Sequence, residues 1–102
     1  MSADAAFRAL AEPNRRAILR LVRDQPRSVN EITHHLAISQ QGVSQHLQVL
    51  REAGLLAVRR EGTRRLYEVR PEGLDSLDAF LAELWPSGLR QLKQTIEGDR
   101  GA

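Results

Sequence analysis

Residues 28–69 read SVNEITHHLAISQQGVSQHLQVLREAGLLAVRREGTRRLYEV, and this stretch decides the fold. Its first half has apolar residues at helical spacing in two short segments, which are separated by a turn at Ala37-Ile38-Ser39. Its second half alternates apolar and polar residues on both sides of Glu61-Gly62-Thr63, which predicts a two-stranded hairpin with glycine in its loop. Helix, turn, helix and hairpin in this order predict a winged helix-turn-helix.

The helix predicted over residues 40–53 has a polar face suited to reading DNA bases. Its apolar residues fix the buried side and leave the glutamines and serines on the opposite side. Glutamine can pair bidentately with adenine, and serine can donate to or accept from several bases. The N-terminal half of such a helix reaches base edges in the major groove. The predicted base-reading residues are therefore Gln40, Gln41, Ser44 and Gln45.

Arginines flank the predicted hairpin loop and suit contacts with the DNA backbone. The guanidinium fork matches phosphate oxygens and is attracted to narrow minor grooves. Strand alternation directs Arg60 and Arg65 over the body of the domain, which makes their neighbours in the two strands the stronger candidates. The predicted backbone and wing contacts are Ser39, His46, Gln48, Arg59, Thr63 and Arg64.

Other side chains near these elements have more than one interpretation. Asn14, Arg15 and Arg16, near the start of the second helix, could hold a phosphate or lie in solvent. His46 is expected to be partly packed near the DNA backbone, with a direct base contact as the alternative. Gly42 lowers helix stability by about 1 kcal/mol relative to alanine. Close approach to DNA or to the third helix would explain this glycine.

The segments on either side of this stretch are also helical in pattern. Pro13 suits the first position of the second helix, and Asn30 is a good N-cap for the third. Pro86 falls inside the last helical pattern, where it either kinks one helix or separates two. We expect a single domain over residues 1–102, mainly α with a small β-hairpin. Residues 30–53 would form the helix-turn-helix, 55–70 the wing, and 1–12 and 73–97 the dimerisation helices.

The apolar stripes of the first and last helices predict a dimer. A chain of 102 residues buries a modest fraction of its surface, so these helices have little of their own chain left to pack on. Pairing them across a two-fold axis would bury both stripes. The predicted interface residues are Phe7, Leu10, Leu74, Leu77, Leu81, Leu84, Trp85, Leu89 and Leu92.

Composition excludes several classes of protein. The absence of cysteine rules out disulfides, thiolate metal sites and thiol nucleophiles, and a cytoplasmic location is expected. No apolar run is long enough for a membrane span, and the N-terminus lacks a secretion pattern. No glycine-rich phosphate loop or catalytic triad is apparent, so no catalytic residue and no enzyme activity are expected. Residues 55–70 hold five arginines against two glutamates, which favours a polyanion at the hairpin.

Three segments resemble the ArsR family of small bacterial winged-helix repressors, and the similarity covers nearly the whole chain. AEPNRRAIL at 11–19 resembles the opening of the family's second helix, ISQQGVSQHLQVLREAGLL at 38–56 its recognition helix, and RREGTRRLYEV at 59–69 its wing. The resemblance implies a symmetric dimer that represses transcription by occupying an inverted-repeat operator in double-stranded DNA. Glu12 stands where the family usually has aspartate, a departure that concerns helix capping more than function.

The same resemblance indicates where a regulatory metal ion would bind in this family. Many members bind metals through cysteines at the start of the third helix, where this chain has Ser28 and Asn30. Others use aspartate and histidine on the last helix, where this chain has only carboxylates, a poor ligand set for a transition metal. His34 and His35 point about 100° apart on a helix and are expected at the surface. We expect no metal and no cofactor, and the sequence identifies no small-molecule effector.

An interaction module without sequence-specific DNA binding is the alternative function. Winged helices also serve as protein-binding or RNA-binding modules, which do not need a polar face on the fourth helix. Such modules more often expose aromatic residues, whereas the aromatic content here is 4%. The sequence therefore favours duplex DNA as the partner.

Overall fold

The computed structural model describes residues 3–85, where helices precede and follow one antiparallel hairpin. In chain order the elements are α1 Ala3–Leu10, α2 Pro13–Asp24, α3 Val29–His34, α4 Gln40–Glu52, β1 Leu56–Glu61, β2 Arg64–Val69, a 3-10 turn Pro71–Leu74 and α5 Asp75–Leu84. This order agrees with the predicted winged helix-turn-helix. No helix in the described range is long and apolar enough to cross a membrane.

The inner faces of the helices and the base of the hairpin form one apolar core. The predicted inner residues of α4, Val43, Leu47 and Leu50, are all buried. Ile18 of α2 and Ile32 of α3 pack in the same cluster. Because α4 is held on its apolar side by this core, its polar side is left facing outward.

The ends of α4 are set by Ser39 and Gly54. The Ser39 side chain accepts a hydrogen bond from the Gly42 N–H at 3.0 Å and so caps the first turn. Gly54, just past the helix, has a φ of 79°, a left-handed conformation that glycine adopts without steric cost. The nearest neighbours of a Cβ placed at Gly42 would be Ser39 and Ile38, at ordinary contact distances of 3.4 Å or more, so close approach to α3 does not explain this glycine.

The start of α3 differs from the expectation that Asn30 is its N-cap. The cap is Ser28, whose side chain accepts from the Glu31 N–H, while Glu31 accepts from the Ser28 N–H. This reciprocal capping box satisfies two backbone donors at once, which a cap at Asn30 would not do. Asn30 instead accepts a hydrogen bond from Gln40 at 3.1 Å, which joins the starts of α3 and α4.

The predicted hairpin forms around its glycine, with Glu61 as the last residue of β1. Leu56 pairs with Val69 and Glu61 with Arg64, and Gly62 in the turn has a φ of 64°. The Arg27 and Tyr67 backbones also bond to each other, so β2 is paired on its outer side by one residue that precedes α3. This bridge ties the base of the wing to the helix-turn-helix.

The last described helix begins later than its leucine pattern suggested, because Pro71–Leu74 forms a 3-10 turn before α5. Gly73 in this turn lies against the backbone of Gly54, and a Cβ there would be 2.0 Å from the Gly54 oxygen. The expectations for Pro86, Leu89 and Leu92 lie outside the described residues.

Candidate nucleic-acid interface

The outer face of α4 carries polar side chains that are available to a ligand. All four predicted base-reading residues are exposed. Gln41, Ser44 and Gln45 make no side-chain hydrogen bond to the described part of the chain, whereas Gln40 donates to Asn30. The predicted backbone contact Gln48 donates to Glu52 at 3.1 Å. The outer face of α4 thus carries three side chains, those of Gln41, Ser44 and Gln45, whose hydrogen-bonding groups are not used within residues 3–85.

A polar groove lies between the outer face of α4 and β2 of the hairpin. Ser44 and Gln48 of α4 line one side, and Arg65 and Tyr67 of β2 line the other. Arg51 and Glu52 complete the lining. Arg65 faces the helices, as strand alternation predicted, but the helix that it faces is α4, so it lies on the candidate DNA-binding side.

Arg51, Arg65 and Tyr67 were not predicted as site residues from the sequence. Alternation along β2 correctly put Arg65 and Tyr67 on one strand face, but the position of that face relative to α4 depends on how the hairpin folds back. A search for arginines in the last turn of the recognition helix would have found Arg51. Neither Arg51 nor Arg65 has an ion-pair partner within residues 3–85.

The two preferred wing arginines are both paired with carboxylates. Arg59 lies 3.5 Å from Glu61 and 3.8 Å from Glu68 in ion-pair geometry. Arg64 contacts Glu31 in the first turn of α3. Thr63, between them in the turn, is exposed. Both arginine side chains remain more than half exposed, so each can also be reached by an external anion.

The hydrogen bonds in the capping box lower the pKa of Glu31 below the usual value for glutamate. The Ser28 N–H and hydroxyl are the largest causes, and the positive charges of Arg64 and Arg27 add to them. Glu31 is therefore ionised at neutral pH. The wing and the first turn of α3 are joined by a charged pair under these conditions.

Arg15 and Arg16 are engaged by the end of α1, not left free for a phosphate. The Arg15 guanidinium donates to the Ala9 and Arg8 carbonyls at 2.7 and 3.0 Å. Arg16 donates to the Leu10 and Ala11 carbonyls. Carbonyls in the last turn of a helix lack i+4 donors, and the two arginines supply hydrogen bonds to them, although the Arg8 carbonyl also accepts from the Ala11 N–H at 3.3 Å. The expectation of a phosphate site on α2 is thus weakened, because the donors have a structural use.

His46 links α4 to the start of α2. Its Nδ1 lies 3.4 Å from Arg15, and its Nε2 lies 3.8 Å from Glu12. Glu12 also caps α2 by accepting from the Arg15 N–H at 3.0 Å, so glutamate performs the role for which aspartate was expected. His46 is half-buried, as expected for a partly packed position on this helix.

An apolar patch lies on α1 and α5, on residues predicted for a dimer interface. Leu84 and Trp85 are more than half exposed, and Leu74 and Phe7 are exposed to a smaller degree. Phe80 was not among the predicted interface residues. It packs edge-to-face on Phe7, with ring centroids 5.4 Å apart. The members of this patch are Phe7, Leu74, Phe80, Leu84 and Trp85.

Three predicted interface residues are less available than the sequence suggested. Leu77 is 8% exposed and packs in the core of its own chain. Leu10 and Leu81 are half-buried. The reason is that α1 and α5 pack against each other within the chain, and this contact covers part of both stripes.

The histidines of α3 do not converge on a common ligand. His34 and His35 are both exposed, and His35 lies 3.5 Å from Arg27. Among residues 3–85, no three side chains of the histidine, aspartate and glutamate types are grouped as metal ligands.

Known proteins are similar to this chain over the region that contains the helix-turn-helix. A family model described as a helix-turn-helix domain matches residues 10–59. The HTH-type transcriptional regulator Rv2034 of Mycobacterium tuberculosis is 40% identical over 98 residues, which cover 96% of this chain and 92% of that protein. The arsenic resistance transcriptional regulator ArsR1 of Pseudomonas putida is 42% identical over 76 residues, or 74% of this chain and 59% of that regulator.

The fold of this chain is also similar to that of a solved structure. It is the solution structure of the homodimeric winged helix-turn-helix DNA-binding domain of a possible ArsR-family transcriptional regulator from Mycobacterium bovis. It superposes with a TM-score of 0.66 at 30% identity and covers 83% of this chain and 79% of that one.

Proposed function

This chain belongs to the ArsR family of winged helix-turn-helix transcriptional regulators, and we propose that it is a dimeric repressor of an inverted-repeat operator. The observation that carries the proposal is the outward face of α4, where Gln41, Ser44 and Gln45 have unused hydrogen-bonding groups. A helix held by its apolar side and polar on its outer side can enter the major groove and leave its own core intact.

The base-reading role is proposed for four residues in the first half of α4. Gln40, Gln41, Ser44 and Gln45 are within two turns of the helix N-terminus, the part that reaches base edges in this fold. Each well-matched bidentate contact contributes roughly 1–3 kcal/mol of discrimination against the wrong base. Because Gln40 also bonds to Asn30, its orientation is held from within the protein.

The wing and the ends of α4 are proposed to contact the sugar–phosphate backbone. The proposed contacts are Ser39, His46, Gln48, Arg59, Thr63 and Arg64. The groove beside α4 adds Arg51 and Arg65, which lie close to Ser44 and Gln48. Cations on both sides of a base-reading helix hold it in register on the duplex without reading sequence themselves.

The apolar patch on α1 and α5 is proposed as the dimer interface. Exposed aromatic and leucine side chains in one patch are typical of an interaction site. The related Mycobacterium bovis domain is homodimeric. A two-fold axis through this patch would place two α4 helices on one side of a duplex. An inverted repeat would then be read, with half-sites one helical turn or a multiple of it apart.

The proposed location is the cytoplasm, where bacterial DNA is found, and the family is one of transcription regulators and not of enzymes. No effector is assigned to the chain. A repressor without one would respond to its own concentration or to another protein.

Selection from random DNA tests the proposal. The purified chain is incubated with a pool of random 40-base-pair duplexes, and retained molecules are amplified and sequenced over several rounds. We expect an inverted repeat to be enriched. Weak binding with no enrichment would instead favour the alternative, an interaction module without sequence-specific DNA binding.

A further inference from the structure

The contact between Arg64 and Glu31 joins the tip of the wing to a different part of the fold. The two residues are 33 positions apart, and Arg64 Nη2 donates to Glu31 Oε1. Arg64 is the first residue of β2, next to the turn. The residue proposed to hold a DNA phosphate is therefore already bound to a carboxylate in the protein without DNA.

Glu31 cannot follow Arg64 toward a ligand, because its carboxylate is fixed at the start of α3. The same Oε1 accepts the Ser28 N–H at 3.0 Å, and the Glu31 N–H donates to the Ser28 hydroxyl at 3.2 Å. Moving this carboxylate would break the capping box and leave donors of the helix unsatisfied. Of the two partners, Glu31 is the one held in place.

Arg64 has the freedom that Glu31 lacks. Its side chain is 58% exposed and extends from the strand end beside Gly62. Its contact with Glu31 is its only hydrogen bond from the side chain to the described residues. A guanidinium can bind a phosphate with the same fork that it offers to a carboxylate.

We propose that Glu31 holds Arg64 in the free protein and that DNA takes Arg64 from it, so that Glu31 limits the affinity for duplexes of any sequence. This inference rests on the proposed DNA contact of the wing. The phosphate replaces a fixed carboxylate, and the carboxylate then lies near the negative backbone without Arg64, with Arg27 as a cation still close to it. Because exposed ion pairs of this kind are weak, the expected change in affinity is at most about fivefold.

The variant Glu31→Gln separates the ion pair from the helix cap. Glutamine serves as well as glutamate at this position of a capping box, so α3 keeps its start while the charge is removed. Binding of the full chain to a fluorescein-labelled, mixed-sequence 30-base-pair duplex is measured by anisotropy. We expect binding to become about two- to fivefold tighter. Thermal unfolding followed by circular dichroism verifies that the variant is folded.

The same change in an Arg64→Gln background distinguishes exchange from simple removal of a negative charge. If Arg64 is the group released, the gain from Glu31→Gln must be larger when Arg64 is present than when it is replaced. Glu68→Gln is the matched control, because Glu68 is a wing carboxylate paired with Arg59. Its effect should be the same in both backgrounds.

Three outcomes would overturn the inference. Unchanged binding by Glu31→Gln would mean that the pair does not limit affinity, and weaker binding would mean that it supports the DNA-bound wing. An equal gain in both backgrounds would assign the effect to charge alone. If the parent chain bound no duplex at all, the proposed function itself would fall, and this inference with it.

Discussion

Gln45 and Arg64 represent two kinds of DNA contact that single side chains can make. Gln45 is exposed on α4 and has an amide that can pair with one base and not another. Arg64 is a point of positive charge that attracts any phosphate. Substitution of each should therefore change a different property of binding.

Gln45→Ala should reduce discrimination between the selected operator and mixed-sequence DNA. The loss should be about 1–3 kcal/mol of specificity, because one bidentate base contact is removed. Affinities for both duplexes are measured by anisotropy at the same salt concentration. Gln25→Ala, at an exposed glutamine after α2, is the control and should leave the ratio unchanged. An unaltered ratio for Gln45→Ala would remove this residue from the base-reading set.

Arg64→Ala should weaken binding to operator and mixed-sequence DNA alike. The slope of log affinity against log salt concentration should decrease in magnitude by about one, since one phosphate contact is lost. Titrations at several salt concentrations measure it. Arg23→Ala removes an exposed arginine on α2 and should have a much smaller effect. If affinity and slope both stayed at the parent values, Arg64 would not contact DNA.

At the scale of elements, two glycines test how α4 and the turn before α5 are positioned. Gly42 lies inside α4, where helix propensity alone disfavours glycine. Gly73 lies in the 3-10 turn against the Gly54 backbone. The same substitution by alanine should therefore have opposite effects at the two positions.

Gly42→Ala should stabilise the folded chain by up to about 1 kcal/mol. The added methyl would meet the Ser39 hydroxyl at 3.4 Å and Ile38 at 3.7 Å, distances that need little adjustment. Urea unfolding measures the free energy. A stabilised variant with weaker DNA binding would explain the glycine by close approach of DNA, whereas a destabilised one would show that α4 cannot accept the methyl group.

Gly73→Ala should destabilise the chain, because its Cβ would be 2.0 Å from the Gly54 oxygen. Such a contact forces the turn and the end of α4 apart, and overpacking of this kind typically costs about 1–3 kcal/mol. The same urea titration measures the loss. Gly62→Ala is not a suitable control because of its positive φ, so Gly42→Ala serves as the comparison. Unchanged stability would mean that the turn can move away freely.

At the scale of the whole molecule, DNA reading and subunit pairing are assigned to different surfaces. The polar face of α4 and the wing form one, and the apolar patch on α1 and α5 forms the other. The polar contacts from Arg15 to α1 and to His46 of α4 lie between them. These contacts join the proposed dimer helices to the recognition helix within one subunit.

Leu84→Glu should convert the proposed dimer to a monomer. Leu84 is 55% exposed, so a carboxylate there disrupts little of the chain's own core but would be buried without a partner in a dimer interface. Sedimentation equilibrium measures the mass. Gln25→Glu introduces the same charge at a site away from the patch and should leave the mass unchanged. A dimeric Leu84→Glu chain would move the interface elsewhere.

Periodicity and turn chemistry in the sequence were sufficient for the order of elements and for the buried side of α4. Helical spacing put Val43, Leu47 and Leu50 inside, and the positive-φ glycines at Gly54 and Gly62 were predictable from local backbone sterics. The cap of α3 was predicted wrongly, because Ser28 and Asn30 were compared by residue type alone. The spacing of Ser28 and Glu31 is that of a capping box and could have identified Ser28 from the sequence, whereas Asn30 is followed three residues later by Thr33.

The sequence by itself determined that an outward polar helix is followed by a basic hairpin, because both features depend on neighbours within a few residues. Only the tertiary structure decided which arginines are available. Arg15 turned out to hold the end of α1, Arg64 to contact Glu31, and Arg65 to line the groove beside α4. Long, flexible charged side chains reach partners that are distant in sequence, so their contacts depend on how the elements pack and not on local pattern.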